Sequence, residues 1–245
     1  MDGDPVLIRP TGTNDYIALG SAGAVFLDDS NRDRVVKAPL KHDVKGCSHE
    51  TVQSVRNKEL FSEECINQRG LLFPYYRLGN LREFMRKNEQ DVSSDVRDKW
   101  IKGAIDAIAW VHEHGVVHAD ISPRNFLVAE DLSIKLCDFA GSVIGDLEQL
   151  VQEEDWYRIS PWSPRNHNTD LFALGCLIYE ISTGERPYNE IDDCDSEEIE
   201  RRYAAQQFPK LDGLRYQNII FKCWSAQYPT VAALRSDWSQ LVPTF

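Results

Sequence analysis

The chain has 245 residues, enough to bury one large core or two smaller lobes that share a cleft. Its 42% hydrophobic and 27% charged residues are those of a folded globular protein and exclude a disordered segment. The formal net charge of −12 excludes the basic surface on which nucleic-acid binding rests, and leaves room for a basic protein partner. The N-terminal stretch reads as strands and turns. Tyr16-Ile17-Ala18-Leu19, the turn Gly20-Ser21-Ala22-Gly23 and Ala24-Val25-Phe26-Leu27 form a hairpin pattern. A polar turn over 28–33 leads to a third strand, Arg34-Val35-Val36-Lys37-Ala38. A helix is expected over about 49–66, with Ser48 as its cap. Leu71-Leu72-Phe73 is a short apolar strand closed by Pro74.

From there the pattern turns helical. Trp100, Ile101, Ala104, Ile105, Ile108, Val111 and His112 recur at three- and four-residue steps, which predicts one apolar helix face ended by Gly115. Phe126-Leu127-Val128 and Ile134-Lys135-Leu136 are short strands around a polar turn. A strongly apolar helix is expected over 170–183, stopped by Gly184 and Pro187; its apolar run is too short to cross a bilayer and contains Glu180. Further helices are expected near 196–207, 214–224 and 230–241. Asp195 should cap the first of these, with Glu197 and Glu198 in its favourable first turn. Strands first and helices after predict an α+β protein with segregated lobes. Six cysteines without a CxxC pair indicate neither a zinc site nor a disulfide framework. The start, Met1-Asp2-Gly3-Asp4-Pro5, lacks the features of a secretion signal, so a cytoplasmic or nuclear location away from membranes is expected by elimination.

The strongest chemical signal is His118-Ala119-Asp120-Ile121-Ser122-Pro123-Arg124-Asn125, followed by Asp138-Phe139-Ala140-Gly141. Each acidic or amide residue alone reads as a turn residue at a strand end. In this order and spacing they resemble the H-R-D-x-x-x-x-N catalytic loop and D-F-G motif of the eukaryotic protein kinase family. The resemblance implies a catalytic Asp120, which orients the attacking hydroxyl and takes its proton, and Mg²⁺ ligands at Asn125 and Asp138. It further implies that Lys37, otherwise a solvated strand lysine, holds the ATP phosphates. Gly20, Gly23 and Val25 fit part of a glycine-rich phosphate loop whose first glycine is replaced by Ala18; a plain turn fits them nearly as well. Pro74 and Tyr76 would bond adenine through backbone groups at a hinge, with Phe73 behind it. Asp170-Leu171-Phe172-Ala173-Leu174-Gly175 resembles the segment whose aspartate accepts hydrogen bonds from the catalytic-loop backbone, and Asp170 also reads as a helix cap. The resemblance spans about 16–241. Its wording, in Leu-Cys-Asp-Phe-Ala-Gly-Ser and Phe-Lys-Cys-Trp, is most like short fungal kinases.

Four departures bear on activity. Ala119 replaces the arginine that pairs with a phosphorylated activation loop, so activity should not depend on such a phosphate. Ser122 replaces a lysine that touches the transferred phosphate, and Arg124 resembles the tyrosine-kinase residue nearby. The A-P-E glutamate and its arginine partner are both missing, an altered design rather than the loss of half an ion pair. Between the 49–66 helix and the hinge, the usual strand looks deleted, and the helix partner of Lys37 is either Asn57 or Glu59. The expectation is a bilobal kinase-like α+β fold over 1–245, with a shortened β-rich lobe and hinge over about 14–76 and a helical lobe over 77–245. The expected function is an ATP- and Mg²⁺-dependent kinase acting on a protein substrate, a basic one included, at serine or threonine by default. The alternatives are a pseudokinase that binds nucleotide or acts as a scaffold, and a small-molecule phosphotransferase.

Overall fold

The computed structural model describes residues 9–20, 23–39, 66–67, 70–145, 153–160 and 162–242. The helix expected over 49–66 lies outside them apart from Ile66, and so do Asn57, Glu59 and the turn residues Ser21 and Ala22. The chain divides between Tyr76 and Arg77 into two compact units, one built on a sheet and one mainly helical, an α+β kinase-like arrangement.

The first unit carries a five-stranded antiparallel sheet in the order β1-β2-β3-β5-β4. The strands are β1 (Thr13–Leu19), β2 (Gly23–Asp28), β3 (Arg34–Pro39), β4 (Ile66–Asn67) and β5 (Gly70–Pro74). The strand expected to be deleted before the hinge is therefore present, cut to two residues. Ile66 pairs with Leu71 and Asn67 with Gly70. Gly70 makes this tight return possible: its φ is +135°, and a Cβ there would sit 2.3 Å from the Lys37 carbonyl oxygen. Period-2 alternation sends Ala24, Phe26 and Ala38 into a small apolar cluster on one side of the sheet.

The second unit opens with α1 (Leu81–Lys87), where the Asn80 side chain accepts from the Glu83 amide, and α2 (Ser94–Glu113). Next come β6 (Val116–Val117), β7 (Phe126–Val128), β8 (Ile134–Leu136) and β9 (Val143–Ile144). The remaining elements are α3 (His167–Thr183), α4 (Ser196–Ala204), α5 (Gln217–Trp224) and α6 (Val231–Leu241). Helix α3 is apolar nearly all round because it runs through the core, packing Leu174, Leu177, Ile178 and Ile181 against α2, α5 and their neighbours. Its cap is Asn166, in a reciprocal capping box with Thr169, so Asp170 is not the cap and is left for another task. Asp195 occupies the cap position of α4 without a side-chain capping bond. The two-residue ladder of β6 with β9 was not foreseen from the sequence; it closes the ends of the 118–142 stretch, Val117 against Val143. Among the described residues no helix is long and apolar enough to cross a membrane.

Candidate active site

In the helical unit the chemistry collects at one end of the β7–β8 hairpin. Phe126 faces Leu136 in the ladder, which puts Asn125, just before β7, beside the chain leaving β8. The Cys137 amide donates to the Asn125 carbonyl at 2.9 Å and fixes that approach. Asp138 follows in a left-handed conformation, φ 61°, and starts the 3₁₀ turn Phe139–Gly141. Asn125 lies in a second 3₁₀ turn, Pro123–Asn125. Its amide nitrogen Nδ2 donates to both the backbone oxygen of Asp120, at 2.7 Å, and the carboxylate Oδ2, at 2.8 Å. That spends the donor end of Asn125 on Asp120 and leaves Oδ1 on the opposite side. An amide oxygen and a carboxylate are hard oxygen donors, the type that Mg²⁺ takes.

Asp120 is half-buried, and burial pushes its carboxyl up to about 7. The Asn125 hydrogen bond works against this, while the charges of Asp138 and Glu154 add to it and Arg124 opposes it. These named groups therefore all act on one carboxylate.

Asp170 does the fixing from below. Its Oδ2 accepts the His118 amide at 2.8 Å and its Oδ1 the Ala119 amide at 2.9 Å, while His112 Nε2 lies 2.8 Å from Oδ2. Ala119 takes a left-handed φ of 61°, which aims both amides at one carboxylate. The His118 ring packs edge-on against Phe139 with centroids 4.9 Å apart, and His118 Nε2 lies 3.1 Å from the Cys137 carbonyl oxygen. Ser122, at the position of the absent lysine, is buried, and among the described residues its hydroxyl has no hydrogen-bond partner.

Sequence reasoning missed a second cluster. Arg82 of α1 is buried and pairs with Glu180 of α3 at 2.9 Å and with Glu154 at 2.7 Å. Burial opposes the Arg82 charge, and Glu180 followed by Glu154 outweigh it, so its pKa rises. Tyr157 donates to Glu180, and Arg165 pairs with Glu153 at 2.5 Å. Glu180 carried a legible signal: a lone carboxylate inside an apolar helix needs a buried cation.

In the sheet unit, register gathers the other candidates. Val25 is opposite Lys37, and Lys37 is opposite Leu71; Leu27 is opposite Val35, and Val35 is opposite Phe73. Directly opposed residues share a face, so Gly23, Val25, Lys37 and Phe73 stand on one side, away from the Phe26 cluster. Lys37 and Val25 are half-buried. The Gly20 amide donates to the Gly23 carbonyl at 2.8 Å and closes the β1–β2 turn. A Cβ on Gly23 would lie 2.7 Å from the Ala38 carbonyl oxygen, so the strands come too close there for any side chain. Pro74 ends β5 opposite Arg34, and Tyr76 follows it, its phenol pKa raised by burial.

Comparison with known proteins gives a consistent result. The family described as protein tyrosine and serine/threonine kinase matches residues 60–242. The mitogen-activated protein kinase kinase kinase dlk-1 of Caenorhabditis briggsae is 22% identical over 188 residues, 72% of this chain and 22% of its own. Cyclin-dependent kinase-like 5 of Mus musculus is 28% identical over 172 residues, 64% of this chain and 17% of its own. The dual specificity protein kinase shkC of Dictyostelium discoideum is 24% identical over 164 residues, 61% of this chain and 32% of its own. The chain thus spans a third or less of the length of these relatives.

Proposed function

The chain belongs to the protein tyrosine and serine/threonine kinase family, and from that premise we propose that it is an ATP- and Mg²⁺-dependent protein kinase, modifying serine or threonine by default. The observation that carries the reading is the junction of Asp120, Asn125 and Asp138 at one end of the β7–β8 hairpin. In this reading Asp120 orients the acceptor hydroxyl and takes its proton as the oxygen attacks the γ-phosphorus and ADP leaves. Asn125, held by Asp120, and Asp138 would hold Mg²⁺, which when bound neutralises charge on the phosphates. Lys37 would engage the α- and β-phosphates, and Gly20, Gly23 and Val25 would line the approach to them. The backbone of Pro74 and Tyr76 would bind adenine. The whole is one kinase domain, with the division near Tyr76 as its hinge.

A protein acceptor is supported by an open polar cavity of about 770 Å³ in the helical unit, which Arg124 lines one residue before Asn125. Its carboxylates Glu153, Glu154, Asp155, Glu83 and Asp193 already pair with Arg165, Arg82, Arg158, Lys87 and Arg186. A basic peptide would gain attraction only by displacing one of them.

The test is a thermal shift with ATP and Mg²⁺ beside radiolabelled autophosphorylation, for the native chain and Asp120→Asn. Stabilisation together with transfer that the substitution abolishes supports the enzyme. Stabilisation without transfer in either protein would make the chain a nucleotide-binding module. Phosphate appearing on small alcohols and never on protein would move it to another class of phosphotransferase.

A further inference from the structure

Glu154 takes part in no motif, yet it joins two parts of the helical unit. On one side its Oε2 accepts from Arg82 Nη1 at 2.7 Å. Arg82 is fastened in turn to Glu180 through Nε and Nη2, at 2.9 and 3.2 Å, and to the Tyr157 hydroxyl at 3.1 Å. On the other side Glu154 Oε1 lies 2.9 Å from Arg124 Nε. Arg124 belongs to the Pro123–Asn125 turn, and among the described residues Glu154 is its ion-pair partner. The Glu154 side chain is 12% exposed and Arg124 is 57% exposed, so the carboxylate is the inner, fixed member of that pair. Two guanidiniums and two carboxylates make the set neutral, and removing Glu154 leaves Arg82 with one carboxylate and takes from Arg124 its ion-pair partner among the described residues.

We propose that Glu154 is a positioning residue whose carboxylate fastens the turn bearing Arg124 and Asn125 to the buried Arg82–Glu180–Tyr157 cluster. It holds the catalytic loop and the segment around 153–158 together without an added phosphate. A carboxylate set between two guanidiniums, hydrogen-bonded to Arg82 and ion-paired with Arg124, supplies permanently the negative charge that a phosphate would otherwise have to bring. The Ser122 and Ala119 positions give the loop no side-chain cation of their own, so Arg124 is the group through which the fastening acts. The catalytic consequence rests on the kinase reading above; the fastening itself does not.

The experiment uses the full chain as Glu154→Gln, Glu154→Asp, Arg124→Gln and the Gln/Gln double variant. Steady-state transfer from radiolabelled ATP is measured with casein and myelin basic protein as acceptors, and amide hydrogen exchange is followed over 118–125 and 153–160. Glu154→Gln should lower kcat about tenfold with KM for ATP within about twofold, and speed exchange over both stretches at least about fivefold. Glu154→Asp, which keeps the charge, should recover part of kcat. Arg124→Gln alters an exposed side chain and does not threaten folding; it should reproduce the loss, and the double variant should be no worse than either single. Phosphatase treatment of the native chain should leave kcat unchanged. Multiplying losses, a rise in kcat on freeing Arg124, unchanged exchange in Glu154→Gln, or a phosphatase-sensitive kcat would each overturn the proposal. If the native chain transfers no phosphate, the kinase reading fails by itself, and the exchange rates decide the fastening.

Discussion

The two units hold their candidate residues by different physical means. In the sheet, Val25, Lys37 and Phe73 share a face because the ladder counts residues in pairs, and what fixes them is backbone. Among the described residues, the buried apolar cluster behind that face consists of Ala24, Phe26 and Ala38. In the helical unit the loop over 118–125 is irregular chain, anchored by short ladders only at its two ends. Side chains bond its backbone instead: Asp170 takes two successive amides and Asn125 donates to the Asp120 carbonyl, while Glu154 pairs with the Arg124 side chain. A sheet should therefore tolerate changes of side chain and suffer from changes of backbone geometry, whereas the loop should fail when one buried side chain is cut.

Asp170→Ala is the severest test of the second half of that contrast. It would strand two amide donors in a buried setting and remove the partner of His112, a loss of about 4 kcal/mol. Urea unfolding should show it as a lower midpoint with an unchanged slope. A loss under about 1 kcal/mol would mean that the loop is held by packing, and the contrast would fail. The matching test in the sheet is Gly70→Ala. It adds no polar change, yet its φ of +135° and a Cβ 2.3 Å from the Lys37 carbonyl oxygen demand a backbone shift between β3 and β5. A cost of about 3 kcal/mol is expected. The same shift would move Lys37, so ATP-induced stabilisation should weaken beyond what the lost stability explains.

What the sequence disclosed follows the same division. Period-2 alternation and turn residues gave the β1–β2–β3 run, and three- to four-residue recurrence gave the helices, because these are local rules. The loop acids were legible as an ordered motif. The return strand Ile66–Asn67 was not, since two residues carry no alternation and the pairing depends on one glycine. Asn166 displaced Asp170 as cap because Thr169 completes its capping box, which frees the aspartate for the loop. The Arg82–Glu180 pair joins residues 98 apart, and no window on the sequence spans that distance. Glu180 announced that a partner was needed, without saying which arginine would supply it.

Asp120→Asn is expected to act in the opposite direction to the other two, since it should stabilise the chain while abolishing transfer. Burial raises the Asp120 carboxyl to about 7 in the folded chain, above the usual carboxylate range that it regains on unfolding. Below that usual range both states hold the proton, and the site adds no penalty. As the pH climbs towards 7 the unfolded state gives up its proton first, so stability falls across this window and the penalty is complete above about pH 7. An asparagine carries no charge at any pH and can still accept from the Asn125 amide. Without nucleotide, the variant should gain on the order of 2 kcal/mol at pH 8, after allowance for the partial exposure of the site, and the gain should shrink towards pH 4. Thermal melts of both proteins across that range measure it directly. A gain that did not vary with pH would place its origin elsewhere than the Asp120 charge. A loss of stability would mean that the carboxylate contributes more to holding the loop than its burial costs, bringing Asp120 into the same class as Asp170.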